Sequence, residues 1–342
     1  MPTSPNHNSH PTRAAMPVRI SNAPIVAAGS VPGYGPIFNA GLIRHDGVFH
    51  LFARGVRDGY RRNEGRGPTF VDYISDVLVF TSLDGRSYTF QQVLAASSPD
   101  DVHTYEDPRV QLVRSGGEDR IVMTYTNLPS PDSGKPWRIG VHRLGFAGGR
   151  GGRFFLNHTS GRVVGPDGIP NKDAVLFNLR DGRVAMIHRV HPNMQVAIFD
   201  TLDELRDPPS GYWEEYLQEI ERHTIITPCE GSLGVGAGAP PVLVGDELLL
   251  FYHEREADRQ YTAKVALLDR ETGHVLSTLP EAIMRPQLAW ERMGDVDNVI
   301  FVQGAVLQED GTIYLTYGAA DSCVGAATVV GAEVVAALRA AA

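Results

Sequence analysis

Apolar and polar positions alternate or run in short blocks along most of the chain, and the blocks recur. Phe38 to His45, Val48 to Ala53 and Asp76 to Thr81 read as strands set off by turn pairs such as Asp46-Gly47 and Asp84-Gly85, and the turn signal returns at Asp181-Gly182 and Asp310-Gly311. Four apolar-rich segments end in Phe52-Ala53-Arg54, Thr124-Tyr125-Thr126-Asn127, Ile187-His188-Arg189 and Phe251-Tyr252-His253, and a fifth ends in Thr316-Tyr317-Gly318-Ala319-Ala320-Asp321. From Arg54 through Asn127, Arg189 and His253 to Asp321 the spacings are 73, 62, 64 and 68 residues. Such a period fits one four-stranded blade with its loops. Each unit opens on another strand with a polar head of its own: Asn39, Asp107, Lys172 with Asp173, the Pro240-Pro241 pair, and Asn298. Five units closed around an axis predict an all-β, five-bladed β-propeller with these groups aimed into one central pit. Helical periodicity is confined to Thr201 to Leu205, Tyr212 to Arg222 and Ala332 to Leu338, so helices are expected to be few, short and peripheral.

Composition fits this picture. With 342 residues, 42% of them apolar, the chain can bury an extensive core, and 36 glycines and 23 prolines suit many tight turns. The formal charge of −9 argues against nucleic acid, which calls for a basic surface, so any anion site has to be a local cluster. Cys229 and Cys323 offer neither a disulfide framework nor a metal-ligand spacing; both are expected to be buried small apolar residues in a reducing, cytoplasmic compartment. Residues 1–20, rich in Pro, Asn, Ser and His, read as a disordered tail without the apolar run of a signal peptide, and residues 21–342 as one catalytic propeller domain. His7 and His10 in that tail make a poor metal site. No stretch approaches the 18 apolar residues of a membrane span.

The chemistry concentrates at Tyr105-Glu106-Asp107-Pro108-Arg109. Proline removes a backbone donor and restricts the residue before it, so Asp107 is held at the rigid start of a strand, either as an aimed acid or as a turn cap. Its company favours the acid: Arg54, Lys172, Arg189, His253 and Asp321 stand at equivalent strand positions. A lone arginine there would be a surface ion pair and a lone histidine structural. Four cationic or donor groups converging in an acidic protein point to an anion. Inorganic phosphate fits, since arginine forks match its oxygens and lysine adds a point charge.

Several ordered motifs carry a family resemblance from about Asn39 to Val329. They are Phe38-Asn39-Ala40-Gly41, Glu106-Asp107-Pro108-Arg109, Asn171-Lys172-Asp173-Ala174-Val175-Leu176-Phe177, His188-Arg189, Pro240-Pro241, Tyr252-His253 and Gly318-Ala319-Ala320-Asp321. Together they resemble the mannoside phosphorylases of glycoside hydrolase family 130, whose fold is a five-bladed β-propeller. The resemblance implies inverting, reversible phosphorolysis of a β-mannoside to α-D-mannose 1-phosphate and an acceptor sugar. It implies Asp107 as general acid, working through a sugar hydroxyl, and no cofactor or metal beyond inorganic phosphate as co-substrate. Arg54, Lys172, Arg189 and His253 match the phosphate side, and Asn39, Asp107 and Asp321 the mannosyl side. Tyr252 and Arg109 are expected behind them, Arg109 preferably as a structural partner of Glu106. The chain departs from the pattern at Glu254, where the family usually has glycine, and in the long Arg-rich segment Gly55 to Phe70, both near the expected acceptor sugar. Family propellers often pair, so a homo-oligomer stays open.

Two other functions compete. A β-mannosidase using water would need a second carboxylate about 6.5 to 9.5 Å from the acid, and Glu230, Glu254 and Asp258 are available. A silent carbohydrate-binding propeller would need an aromatic platform, for which Trp137, Trp213 and Trp290 are too scattered. Gly234-Val235-Gly236-Ala237-Gly238 has the wrong spacing for a nucleotide loop and reads as permissive backbone lining the pit, while Gly231-Ser232-Leu233-Gly234 lacks the spacing of a nucleophile elbow.

Overall fold

The Asp-Gly turns close hairpins as their chemistry requires. Asp46 and Gly47 take φ of 49° and 77° and join Tyr34–His45 to Val48–Arg57 with His45 opposite Val48; such a turn twists in the same sense as the strands it links. Repeated along the chain, this pattern gives five antiparallel sheets of four or five strands, beside one small two-stranded sheet, in the computed structural model, which describes residues 15–63 and 69–342. His7 and His10, and part of the Gly55 to Phe70 segment, lie outside the described residues.

Blade one holds Tyr34–His45, Val48–Arg57, Ser75–Ser82 and Thr89–Ala95. Thr104–Ser115, Glu118–Leu128 and Arg138–Ala147 build blade two, with Arg153–Leu156 and Arg162–Val164 both paired to its third strand. Blade three runs through Lys172–Asn178, Val184–Arg189, Met194–Phe199 and Thr224–Ile226. In blade four the innermost strand is split into Gly234–Ala237 and Val242–Val244, followed by Glu247–Arg255, Tyr261–Leu268 and Val275–Thr278. Blade five takes Ile300–Leu307, Thr312–Ala319 and Cys323–Val330, and its outermost strand is Val18–Arg19, from the far end of the chain. Innermost strands of successive blades pack on one another and blade five returns to blade one, closing the ring.

The core is five apolar clusters, one in each cleft between neighbouring blades. Phe52, Val79, Tyr105 and Met123 fill the first; Val122, Ile139 and Leu176 the second; Phe177, Val235 and Leu250 the third; Phe251, Val302 and Leu315 the fourth; Ile37, Leu51 and Tyr314 the fifth. Each fully buried Leu or Phe contributes about 1.5–3 kcal/mol relative to exposure, so every blade is held by both neighbours. This explains why Val48–Arg57 is buried along nearly its whole length.

Several expectations are corrected. The ordered chain starts before residue 21: Ala15 is buried and Val18–Arg19 is a strand. Cys323 is buried as expected but Cys229 is exposed. Gly234–Ala237, read as backbone lining the pit, is a strand that begins blade four, and Pro240-Pro241, read as that blade's head, sits between the two halves of its innermost strand. The expected helices form as Leu202–Arg206, Tyr212–Gln218 with Ile220–His223, and Gly331–Ala340. Thr201 caps the first by accepting from the Glu204 N–H.

Candidate active site

One local irregularity aims the central side chains. Besides an earlier slip in blade one between Tyr34 and Ile37, the innermost strands of blades one, two, three and five slip register between Phe38 and Ala40, Glu106 and Arg109, Lys172 and Val175, and Val302 and Gly304. Asn39, Asp107, Asp173 and Gln303 stand at these bulges and are all buried. The first three have φ of 44°, 50° and 57°, the left-handed region that Asn and Asp tolerate better than other side-chain-bearing residues. Blade five's central polar group is therefore Gln303; Asn298, expected in that place, is exposed before the strand begins. Gln303 donates from Nε2 to the carbonyls of Asn39 and Pro108 at 2.6 and 2.8 Å, tying blade five to blades one and two.

Around Asp107 the structure builds an acid-bearing half of the pit. Asn39 Nδ2 donates to Asp107 Oδ1 at 2.8 Å, and the Asn39 side chain fills the space where a Cβ at Gly318 would stand. Arg54, matched to the phosphate side by the motif, stands beside these carboxyls. Its Nη2 donates to Glu106 Oε1 at 2.6 Å, its Nη1 lies 3.6 Å from Asp107 Oδ1, and its Nε bonds Ser75 Oγ at 3.1 Å. Burial opposes the guanidinium's charge, but Glu106 and Asp107 outweigh it and hold Arg54 firmly protonated. Half-buried Asp321 is raised to about 7, first by burial and then by the Asp107 and Glu106 charges, against the pull of Arg54 and Lys172.

Asp173 organises the other half. Arg189 Nε lies 3.3 Å and His253 Nε2 3.7 Å from its Oδ2, and Arg109 Nη2 bonds its Oδ1 at 3.2 Å. Burial works against the Asp173 charge, yet Arg189, Lys172, His253 and Arg109 together hold its carboxyl far below the usual range. Lys172 pairs in register with Arg189 across the hairpin, and its ammonium sits 6.0 Å from the Trp137 ring centre. His253 stacks on Phe301 at 4.1 Å; burial first, and Arg189, Arg109 and Lys172 after it, overcome Asp173 and push its pKa down to about 3. It is a neutral hydrogen-bonding group at neutral pH, so the fixed charges of this half are Lys172, Arg189, Arg109 and Asp173.

Arg109 joins the halves. It is fully buried and donates to the carbonyls of Asp107, Gly238 and Ala237 at 3.0, 2.8 and 2.7 Å as well as to Asp173. These groups are its partners; the expected partner, Glu106, is held by Arg54. Tyr252, expected near substrate, points away from His253 into the apolar cleft between blades three and four. His188 likewise turns from the pit and bonds Asn171 Oδ1 and Tyr216 Oη at 3.1 and 2.9 Å.

The three carboxylates considered as a water-activating base are either paired elsewhere or exposed. Glu254 is buried against Lys264 Nζ at 2.6 Å and accepts from the Cys229 N–H, Asp258 is exposed in a turn where it accepts from the Gln260 N–H, and Glu230 is exposed. The carboxyls that act electrostatically on Asp321 are Asp107 and Glu106. Asn127 lines a cavity of about 640 Å³ together with Asp101, His103, Lys135 and Arg138. Gln303 and the Glu106–Arg54 pair were not singled out by sequence; a polar residue inside the apolar run Ile300-Phe301-Val302 was the signal available for the first.

A family model described as β-1,4-mannooligosaccharide phosphorylase matches residues 10–340. A 1,2-β-oligomannan phosphorylase from Thermoanaerobacter sp. (strain X514) is 28% identical over 301 residues, 85% of this chain and 88% of the relative. A β-1,2-mannobiose phosphorylase from the same organism is 28% identical over 327 residues, 91% of this chain and 96% of the relative. The solved β-1,2-mannobiose phosphorylase from Listeria innocua, complexed with β-1,2-mannobiose, shares the fold with a TM-score of 0.71 over 95% of this chain and 99% of that chain, at 17% identity.

Proposed function

The chain belongs to glycoside hydrolase family 130, the β-1,4-mannooligosaccharide phosphorylase family, and on that footing we propose that it carries out the inverting phosphorolysis of a β-mannoside to α-D-mannose 1-phosphate and an acceptor sugar. Asp107 is the general acid and inorganic phosphate the nucleophile. A phosphate oxygen attacks C1 from the face opposite the leaving group, the glycosidic C1–O bond breaks, and the Asp107 proton reaches the departing oxygen through a sugar hydroxyl. Phosphate arrives already ionised and needs no base, so one acid suffices where an inverting hydrolase needs two carboxyls.

One observation carries this reading: three fixed cations, Lys172, Arg189 and Arg109, gather around the single carboxylate Asp173, and Arg109 links that group to the backbone of the acid. A net positive, preorganised cluster beside a carboxyl-rich half suits a dianion entering against a neutral sugar. Asn39 and Asp321 face the mannosyl unit. The reaction needs no cofactor beyond phosphate, and a chain with two free cysteines suits the cytoplasm.

The test is turnover of a β-mannoside with and without inorganic phosphate, the product's anomeric form being read by NMR before it equilibrates. Phosphate-dependent release of α-mannose 1-phosphate is expected. Equal turnover without phosphate, yielding free mannose, assigns a hydrolase instead.

A further inference from the structure

The excursion that leaves blade one after Arg57 and returns at Ser75 is anchored to the pit twice. Its short strands Arg61–Arg62 and Phe70–Val71 pair with each other. The Phe70 and Tyr73 rings stack with centres 4.5 Å apart and planes 18° from parallel, and Tyr60 meets Tyr73 edge-on at 4.8 Å. Arg62 covers Phe70 at 4.8 Å and Arg54 lies 5.4 Å from the Tyr73 ring centre, so the column runs Arg54, Tyr73, Phe70, Arg62 from the pit outward. Arg54 also lies 5.0 Å from the Phe38 ring. One ring on this guanidinium thus comes from the blade and the other from the excursion.

The second anchor is Asp295. Tyr60 and Tyr73 each donate a hydroxyl to its carboxylate, at 3.0 and 2.9 Å, and Arg62 donates to its carbonyl at 2.6 Å. Asp295 is itself placed by the residue before Asp321: the Val296 N–H donates to the Ala320 carbonyl at 3.3 Å, and a Cβ at Gly294 would run into that same carbonyl. The contacts pass from Ala320 through Asp295 and Tyr73 to Arg54, and from Arg54 to Glu106 and Asp107.

We propose that Tyr73, latched by Asp295, is a positioning residue that holds the Arg54 guanidinium at the acid Asp107. Arginine has a long, rotamer-rich side chain, and a cation set against an aromatic face out of water is held in place by the ring. The position matters because Asp107 ends proton transfer as a carboxylate, and a cation already in place stabilises that charge without reorganising. The inference rests on the reading of Asp107 as the acid.

Two measurements on the full chain test it. Tyr73→Leu is expected to lower kcat for phosphorolysis by about 10- to 100-fold, the size of effect a misplaced catalytic environment produces, with the KM for phosphate nearly unchanged, and Tyr73→Phe, which keeps the ring, to restore most of the loss. In parallel, exchange of the Arg54 Nε–H with water, read by NMR on arginine-labelled protein, is expected to be slow in the wild type and at least 10-fold faster in Tyr73→Leu. The Arg109 Nε–H, bonded to Gly238, should stay protected and serve as the internal control. Unchanged Arg54 exchange overturns the proposal, even with kcat reduced, because Tyr73 then acts on substrate directly. Equal loss of protection at Arg54 and Arg109 overturns it too, by making Tyr73 a general stabiliser. If the wild type shows no phosphate-dependent turnover, the phosphorolysis reading fails while the exchange comparison still decides whether Tyr73 holds Arg54.

Discussion

Asp107 is the one bulge residue followed by proline, and it holds a left-handed φ of 50° even though a following proline favours an extended backbone. Asp107→Asn keeps that shape and the Asn39 contact but removes the proton, and is predicted to lower kcat by about 10²- to 10⁴-fold with phosphate binding unchanged, as measured by steady-state kinetics with each substrate varied in turn. In the other half, Lys172→Met or Arg189→Ala is predicted to raise the KM for phosphate roughly 10- to 150-fold, the equivalent of losing a charge-assisted contact of about 1.5–3 kcal/mol, with a much smaller change for the mannoside; Asp321→Ala should do the reverse. Equal weakening of both substrates in the Lys172 and Arg189 variants would remove phosphate from that half of the pit. Asp321, raised to about 7, changes between hydrogen-bond donor and acceptor across neutral pH. The mannoside KM of the wild type should therefore vary between about pH 6 and 8, and Asp321→Asn should flatten it. Because the folded-state pKa is raised, ionising Asp321 costs stability as pH climbs from the ordinary aspartate range toward about 7. Thermal melts over that window should show Asp321→Asn gaining on the wild type.

At the scale of the strand, alternation decides which side chains reach the axis. His253 and Tyr252 are adjacent in one motif, yet a strand sends neighbours to opposite faces, so His253 meets Asp173 while Tyr252 enters the cleft between blades three and four. Tyr252→Phe is predicted to leave both KM values within about twofold, whereas Tyr252→Ala should destabilise the fold by about 3–5 kcal/mol through loss of packing, seen as a lower denaturation midpoint. The strands and their polar tips were legible in the sequence because both are periodic. The bulges were not. A register slip is defined by the partner strand, so Asn298 was read by its polarity as the head of blade five, while Gln303, the residue actually set at the slip, looked like part of an apolar run. Arg109 was misread for a related reason: Glu106 is near it in sequence, but its acceptors, Ala237 and Gly238, lie across the axis on blade four.

For the whole molecule the decisive contact is the one that closes the ring. Arg19, next to Val18 in the added strand, donates from Nε and Nη2 to the fully buried Glu291 at 2.6 and 2.9 Å, and Tyr317 Oη donates to the same carboxylate at 2.9 Å. Burial resists the Glu291 charge, but Arg19 and the Gln287 and Leu288 N–H groups outweigh it and hold the carboxyl below the ordinary range. This stabilisation is present above the usual glutamate pKa and fades as pH falls below it. Arg19→Ala strands a buried charge and should cost on the order of 3 kcal/mol near neutral pH, with a smaller penalty in acid, as read from denaturation midpoints. A two-residue strand has no periodicity to betray it, which is why residues up to 20 read as a tail. The same closure imposes an order on synthesis. Val18 pairs with Thr328, and Arg19 with Ala327, so at roughly 5–20 residues per second the first-made strand waits on the order of 15 to 60 s for its partner to be translated. Until then blade five has no outer edge, the pit lacks Gln303 and Asp321, and blades one to four stand as an open arc whose last cleft is exposed to water. For this enzyme the interval between ribosome and closed ring is the period in which it has neither its full core nor its chemistry.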